Sequence, residues 1–340
     1  MKKLMSLILA SAMALSLVAC GSNSTASSAS AASTPASSNT AETPDAPASN
    51  YPNHAIELHT HKSGSTVEIN TRIFAPFLSK YLNGTNVLVV NDDTMETAFQ
   101  TTVNADPDGY VISSTTCNVQ LRDATGGLTF DTVDDVRFVG TFTVGGGYFV
   151  AVTKDFAAKH NIATFDDLIA LTQAEPDQYT ISTSIGAISE LATYSIIEDC
   201  KMPAYPVDLA DSNTRLTAFL KGDLDIFVGN WSTIQQYVET GDVLCLCFYG
   251  DERSPFVPDY PCTKELGYSV LPADNYYYIS CPKDTPDDIF NVLCAAVEAA
   301  ANDPEYVEAI EGNAARACFK NSEETYEMLK SMREVLKQFA

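Results

Sequence analysis

The residues best placed to do chemistry sit where a short strand gives way to a helix. Ile56 and Leu58 alternate as strand residues do, His59 to Thr66 is polar and contains Gly64, and Ile69, Ile73, Phe74, Phe77 and Leu78 then recur at helical spacing. The first turn of such a helix presents unpaired backbone N–H groups and the positive end of the helix dipole, which together suit an anion. His61 and Lys62 stand beside that turn and can add donors or charge. The chemistry this predicts is capture of a carboxylate. Catalysis has no comparable signature: Gly-x-Ser-x-Gly, His-Glu-x-x-His and a Walker A loop do not occur. Neither an enzyme nor a cofactor is expected.

Other chemistry-bearing residues carry two readings each. His59 and His61, two apart at a strand end, have the spacing to ligate a metal. No acidic or cysteine ligand stands at a diagnostic distance from them, so solvated or ligand-facing histidines are expected and no metal. Asp92 and Asp93 either cap the next helix or meet a cation, with capping favoured. Trp231, the only tryptophan, either covers a ligand together with Asn230 or packs between helix and sheet. Gly145-Gly146-Gly147 is either a hinge or a tolerant strand junction.

These residues need elements to hold them. Val87 to Val90 is a continuous apolar run between two asparagines, expected to be a parallel strand buried on both faces. Met95 to Val103 reads as a helix, Asp106-Pro107-Asp108-Gly109 as a turn, and Tyr110 to Ser113 as the next strand. Strands alternating with helices predict a doubly wound α/β domain. Tyr148 to Val152 leads elsewhere. A second βα series runs from Thr164 to Glu239, with strands at Tyr179 to Thr183, Val207 to Leu209 and Leu224 to Val228. Val243 to Phe248 is another apolar strand, Asp251 to Gly267 a proline-containing loop, and Tyr276 to Ser280 a strand. Helices follow from Thr285-Pro286 to Ala301 and from Ser322 to Phe339.

Composition bounds the rest. The 340 residues are 45% hydrophobic and 19% charged, enough for two cores. Lys2 and Lys3 precede a short apolar run, and Leu17-Val18-Ala19-Cys20-Gly21 has the form of a bacterial lipobox. Residues 1–19 are therefore expected to be a lipoprotein signal peptide and Cys20 the lipidated residue that anchors the chain to the outer face of the cell membrane. Gly21 to Asn50 is nearly all Ser, Ala, Thr, Asn and Pro and reads as a disordered tether. Loss of both lysines takes the formal charge from −24 to −26, which argues against nucleic acid as a partner. Eight cysteines remain after Cys20. Cys245 and Cys247 alternate in an apolar strand and no Cys-x-x-Cys occurs, so mostly free, buried thiols are expected.

Several blocks, in order, carry a family resemblance over nearly all of Tyr51 to Gly312. They are Gly64 to Arg72, Val87 to Asn91, Pro107 to Tyr110, Phe165 to Ile169, Ser184-Ile185-Gly186-Ala187, Leu220 to Asp225, Arg253 with Pro258 to Gly267, and Cys281 to Pro286. The chain resembles the extracytoplasmic solute-binding proteins of the tripartite tricarboxylate transporters, often called Bug receptors. That resemblance implies a type II periplasmic-binding-protein fold of α/β class: two lobes, each a mixed, mostly parallel sheet flanked by helices. The lobes are expected over residues 51–147 with 243–340, and over 148–242. It implies a monomer that holds a small organic acid between its lobes and delivers it to large and small integral membrane subunits. A solute-sensing lipoprotein without transport is the alternative. Carried over from the family, the carboxylate is held by Ser63, Gly64, Ser65 and Thr66 on one side and by Thr183, Ser184, Gly186 and Ala187 on the other. Both loops end strands and begin helices, so two helix N-termini would face one cleft. The chain departs from the family in three places. Ser63-Gly64 and Glu68 stand near a usual Gly-Gly and Asp, the acidic Asp92 to Glu96 replaces a glycine-rich stretch, and a third cleft loop reads Leu209-Ala210-Asp211 in place of tyrosine-lysine-glycine.

Overall fold

Alternation of strands and helices, with two changes of direction, gives the chain two sheets. The computed structural model describes residues 50–124, 126–209, 211–270 and 273–337. The expected signal peptide, Cys20, the tether as far as Ser49, and Ala210 lie outside the described residues. In chain order, β1 (Ile56–Thr60), α1 (Thr66–Tyr81), β2 (Val87–Asn91), α2 (Met95–Val103), β3 (Val111–Thr116), α3 (Asn118–Ala124) and β4 (Val136–Gly145) begin the first lobe. The second contains β5 (Tyr148–Thr153), α4 (Lys154–His160), α5 (Phe165–Ala174), β6 (Thr180–Thr183), α6 (Ile188–Asp199), β7 (Tyr205–Asp208), α7 (Ser212–Lys221), β8 (Ile226–Asn230), α8 (Trp231–Glu239) and β9 (Val243–Tyr249). The chain then returns through β10 (Tyr276–Pro282), α9 (Asp287–Ala301), α10 (Pro304–Glu311), β11 (Ala315–Lys320) and α11 (Ser322–Leu336).

The first sheet has the order β11-β4-β10-β3-β1-β2 and the second β7-β6-β8-β5-β9. β1 runs parallel to β2 and β3, with Leu58 opposite Val89 and Ile112, while β10 and β11 are antiparallel additions. In the second sheet β5 lies antiparallel between β8 and β9. The expected doubly wound pattern is thus modified by strands that return from the other lobe.

Two strands differ from their sequence reading. β2, expected to be buried on both faces, is an edge strand with Leu88 exposed, because nothing pairs beyond it. β9 was expected to reopen the first lobe at residue 243, but it pairs with β5 across Val243 to Tyr249 and belongs to the second sheet. The return to the first sheet therefore falls between Tyr249 and Tyr276. An apolar strand looks the same whichever sheet receives it.

Periodicity decides which faces are buried. The β1 residues Ile56 and Leu58 meet Phe74 and Leu78 of α1, all fully buried. Phe74 stacks on Phe142 at 4.2 Å between ring centroids, and truncating it to Ala would cost about 3–5 kcal/mol. Gly146 and Gly147 carry the chain between sheets, and a steric reason holds each. A Cβ on Gly146 would lie 1.9 Å from the carbonyl oxygen of Ala314, and Gly147 has φ +78° with the Phe248 ring against it. The eight cysteines from Cys117 to Cys318 are free thiols, six of them buried. Burial pushes the Cys117, Cys200 and Cys281 thiols up to about 12. No helix among the described residues is long and apolar enough to cross a membrane.

Candidate functional site

A polar cavity of about 680 Å³ lies between the two lobes. The loop from β1 to α1 brings His61, Lys62, Ser63, Gly64, Ser65 and Thr66 to its wall, and the loop from β6 to α6 brings Ser184, Gly186 and Ala187. Asp211 and Asn230 line it as well. Thr183 does not. It ends β6 behind the loop, buried, with its hydroxyl unpartnered among the described residues.

The two loops repeat one device. Gly64 and Gly186 take φ +79° and +77°, and each donates its N–H to a glutamate four residues on: Gly64 to Glu68 Oε2 at 3.2 Å and Gly186 to Glu190 Oε2 at 2.8 Å. In the first loop the Ser65 hydroxyl caps α1 by accepting from the Glu68 N–H, and Arg72 Nε donates to the other Glu68 oxygen. Helix geometry gives the first-turn N–H groups of Thr66 and Val67, both on the cavity wall, no carbonyl within α1. The second loop is more fully committed. Ile185 N–H donates to Asp208 Oδ1 at 2.9 Å, Ala187 to the Ser184 carbonyl at 3.1 Å, and Ile188 to Asn118 Oδ1 at 2.8 Å. The two loops therefore differ in how many backbone donors they have left for a ligand.

Polar contacts cross the cavity mouth. Lys62 Nζ lies 3.2 Å from Asp211 Oδ2, Asn213 Nδ2 donates to the Gly64 carbonyl at 3.4 Å, and Asn118 joins the lobes through Ile188. Asp211 also caps α7, accepting from the N–H groups of Asn213 and Thr214. Burial pushes its carboxyl up, but the Thr214 N–H and hydroxyl and the Lys62 ammonium outweigh that and hold it below its ordinary value. His61 moves down too, through burial and then the adjacent Lys62 charge, against the pull of Glu96 and Asp211.

The remaining sequence candidates divide. His59 turns from the cavity to Asp92, with Nδ1 2.8 Å from Oδ2, so Asp92 is a histidine partner and Thr94 caps α2 instead. Trp231 packs on Phe149 and Tyr260 at 5.1 and 5.8 Å between centroids, inside the second lobe. Asn230, its neighbour, remains on the cavity wall. Two residues that sequence reading passed over are also there. Arg122 of α3 lies against Gly186, where a Cβ would meet its Cδ at 2.3 Å, and its Nε stands 3.4 Å from Glu96. Arg215 of α7 is buried and lines the same cavity. Within an amphipathic helix, either arginine reads as an ordinary surface residue.

Two lobes joined by crossing strands thus hold a polar cavity between them. Residues 72–338 match the model of the tripartite tricarboxylate transporter family receptor, and the chain belongs to that family. It is similar to Protein BugT of Bordetella pertussis, 22% identical over 82% of this chain and 86% of that one. Among solved structures it resembles a Rhodopseudomonas palustris protein determined with adipate, with TM-score 0.74, 17% identity, and 85% and 97% of the two chains covered. MatC of the same organism, determined with bound malate, gives TM-score 0.70 at 17% identity over 85% and 99%.

Proposed function

We propose that this chain is an extracytoplasmic receptor that closes its lobes on a small organic acid and hands it to the large and small membrane subunits of a tripartite transporter. In this reading the lipid on Cys20 anchors the receptor to the outer face of the membrane. The observation that carries the reading is the convergence of two strand-to-helix loops on one polar cavity, with the Thr66 and Val67 N–H groups of α1 left for an anionic acceptor. The malate and adipate in two structural neighbours are acids of the same class. Hydrogen bonds to an ionised acceptor contribute about 1.5–3 kcal/mol each, so a few backbone donors suffice for micromolar capture.

Isothermal calorimetry with mono-, di- and tricarboxylates tests the ligand class. Binding of at least one acid, with compaction seen by small-angle scattering, is the expected result. Tight binding of a neutral sugar or a cation with no acid bound would overturn it. The anchor is tested separately: Cys20→Ala should leave an uncleaved or released protein, and unchanged detergent partitioning after the signal segment is removed would refute the anchor.

A further inference from the structure

Arg215 is the cation in this cavity with the weakest internal compensation. The residue is 5% exposed and lines the cavity that the β1–α1 loop lines from the other lobe. Lys62 is paired with Asp211 and Arg122 with Glu96. Arg215 forms no ion pair with any carboxylate among the described residues. Its Nη1 donates to the Leu209 carbonyl at 3.3 Å and its Nη2 to the Ser212 hydroxyl at 3.1 Å, while Nε is buried without a partner. A guanidinium carries five N–H donors, so three are unspent. Asp211 and Asp208 favour its charge only through space, and both are hydrogen-bonded to other groups: Asp208 accepts from Ile185 N–H, and Asp211 from Asn213, Thr214 and Lys62.

A buried charge without a counter-charge is costly, and proteins normally pair it. The guanidinium fork matches a carboxylate bidentately, so the partner that best offsets this burial is an anion entering the cavity. The β1–α1 loop and Arg215 line the same cavity from different lobes, bridged by the Asn213 contact to Gly64.

We propose that Arg215 is the counter-ion for a second anionic group of the ligand and thereby selects doubly charged acids over singly charged acids of equal chain length. This rests on the receptor reading above, with the first carboxylate at the α1 N-terminus. The four-, five- and six-carbon straight-chain dicarboxylates are titrated by calorimetry against the monocarboxylates of the same length. The wild-type chain should prefer at least one dicarboxylate by about tenfold to a hundredfold, the worth of charge-assisted hydrogen bonds. Arg215→Gln should cut that ratio to about threefold or less through weaker dicarboxylate binding. Arg215→Met, which fills the same space without a charge to bury, should do the same, and it supplies the reading if the glutamine variant melts early. A wild-type ratio near one, or a ratio unchanged in the folded variants, overturns the assignment while leaving the receptor reading intact. Binding of neither class by the wild type overturns the Arg215 assignment, and the receptor reading falls only if the tricarboxylates of the wider titration fail as well.

Discussion

Gly64 and Gly186 look interchangeable, since both take a left-handed φ and both donate to a glutamate four residues on. Their surroundings separate them. A Cβ on Gly64 meets nothing within 4 Å, so Gly64→Ala should cost only the backbone strain, about 1–2 kcal/mol. At Gly186 the new methyl would displace Arg122 as well. Thermal melts should show similar losses for both alanine variants, while calorimetry with the preferred acid should show at least a tenfold weaker affinity for Gly186→Ala alone. Equal affinities would remove Arg122 and its loop from the binding account. Asp211 supplies a pH test. Its folded carboxyl is held below its ordinary value, so the stabilisation it brings is complete above the unfolded value of about 3.9 and is lost as pH falls through the lower folded value. Melting temperatures between pH 6 and pH 2.5 should therefore fall less steeply for Asp211→Asn than for wild type. Parallel curves would show that the α7 cap and the Lys62 contact add nothing in acid.

At the scale of elements, the crossing at Gly146 and Gly147 is fixed by close approach as well as by flexibility. Gly146→Ala would press a methyl into the Ala314 carbonyl ahead of β11, and overpacking of this kind costs about 1–3 kcal/mol. Its melting temperature should drop by several degrees, and hydrogen exchange should speed up in β11 before β5. Uniform exchange across both strands would place the strain elsewhere. The same elements show what a sequence discloses. The β1–α1 unit was legible because its apolar positions change from period two to helical spacing around a polar, glycine-containing loop. The α5 start was legible because Thr164 and Asp167 form a capping box, a local pattern. The edge position of β2, the sheet that receives β9, and the burial of Arg215 all depend on pairings between residues far apart in the chain. No local pattern marks them. Thr183 was assigned to the cleft by the family resemblance, yet only the residues after it reach the cavity.

For the molecule as a whole, the described fold starts close to Tyr51. That residue is buried, its hydroxyl donates to the Gly109 carbonyl at 2.6 Å, and its ring meets Tyr110 edge-on at 5.1 Å between centroids. A chain beginning at Asn50 should match the full mature chain in melting temperature and acid titration. Removing residues through His54 as well should destabilise it by about 3–5 kcal/mol, the cost of emptying a large aromatic site. If both truncations melt together, Tyr51 is a passenger. The thiols carry a separate consequence for the whole fold. Six of the eight cysteines among the described residues are buried and all eight are free thiols, so no disulfide joins the described residues. The fold is therefore indifferent to redox poise: melting with and without dithiothreitol should superimpose, and refolding from denaturant should need neither an oxidant nor an isomerase. Reagents that trap thiols should reach half-buried Cys294 and Cys318 in the folded chain, and the other six only as fast as the molecule opens.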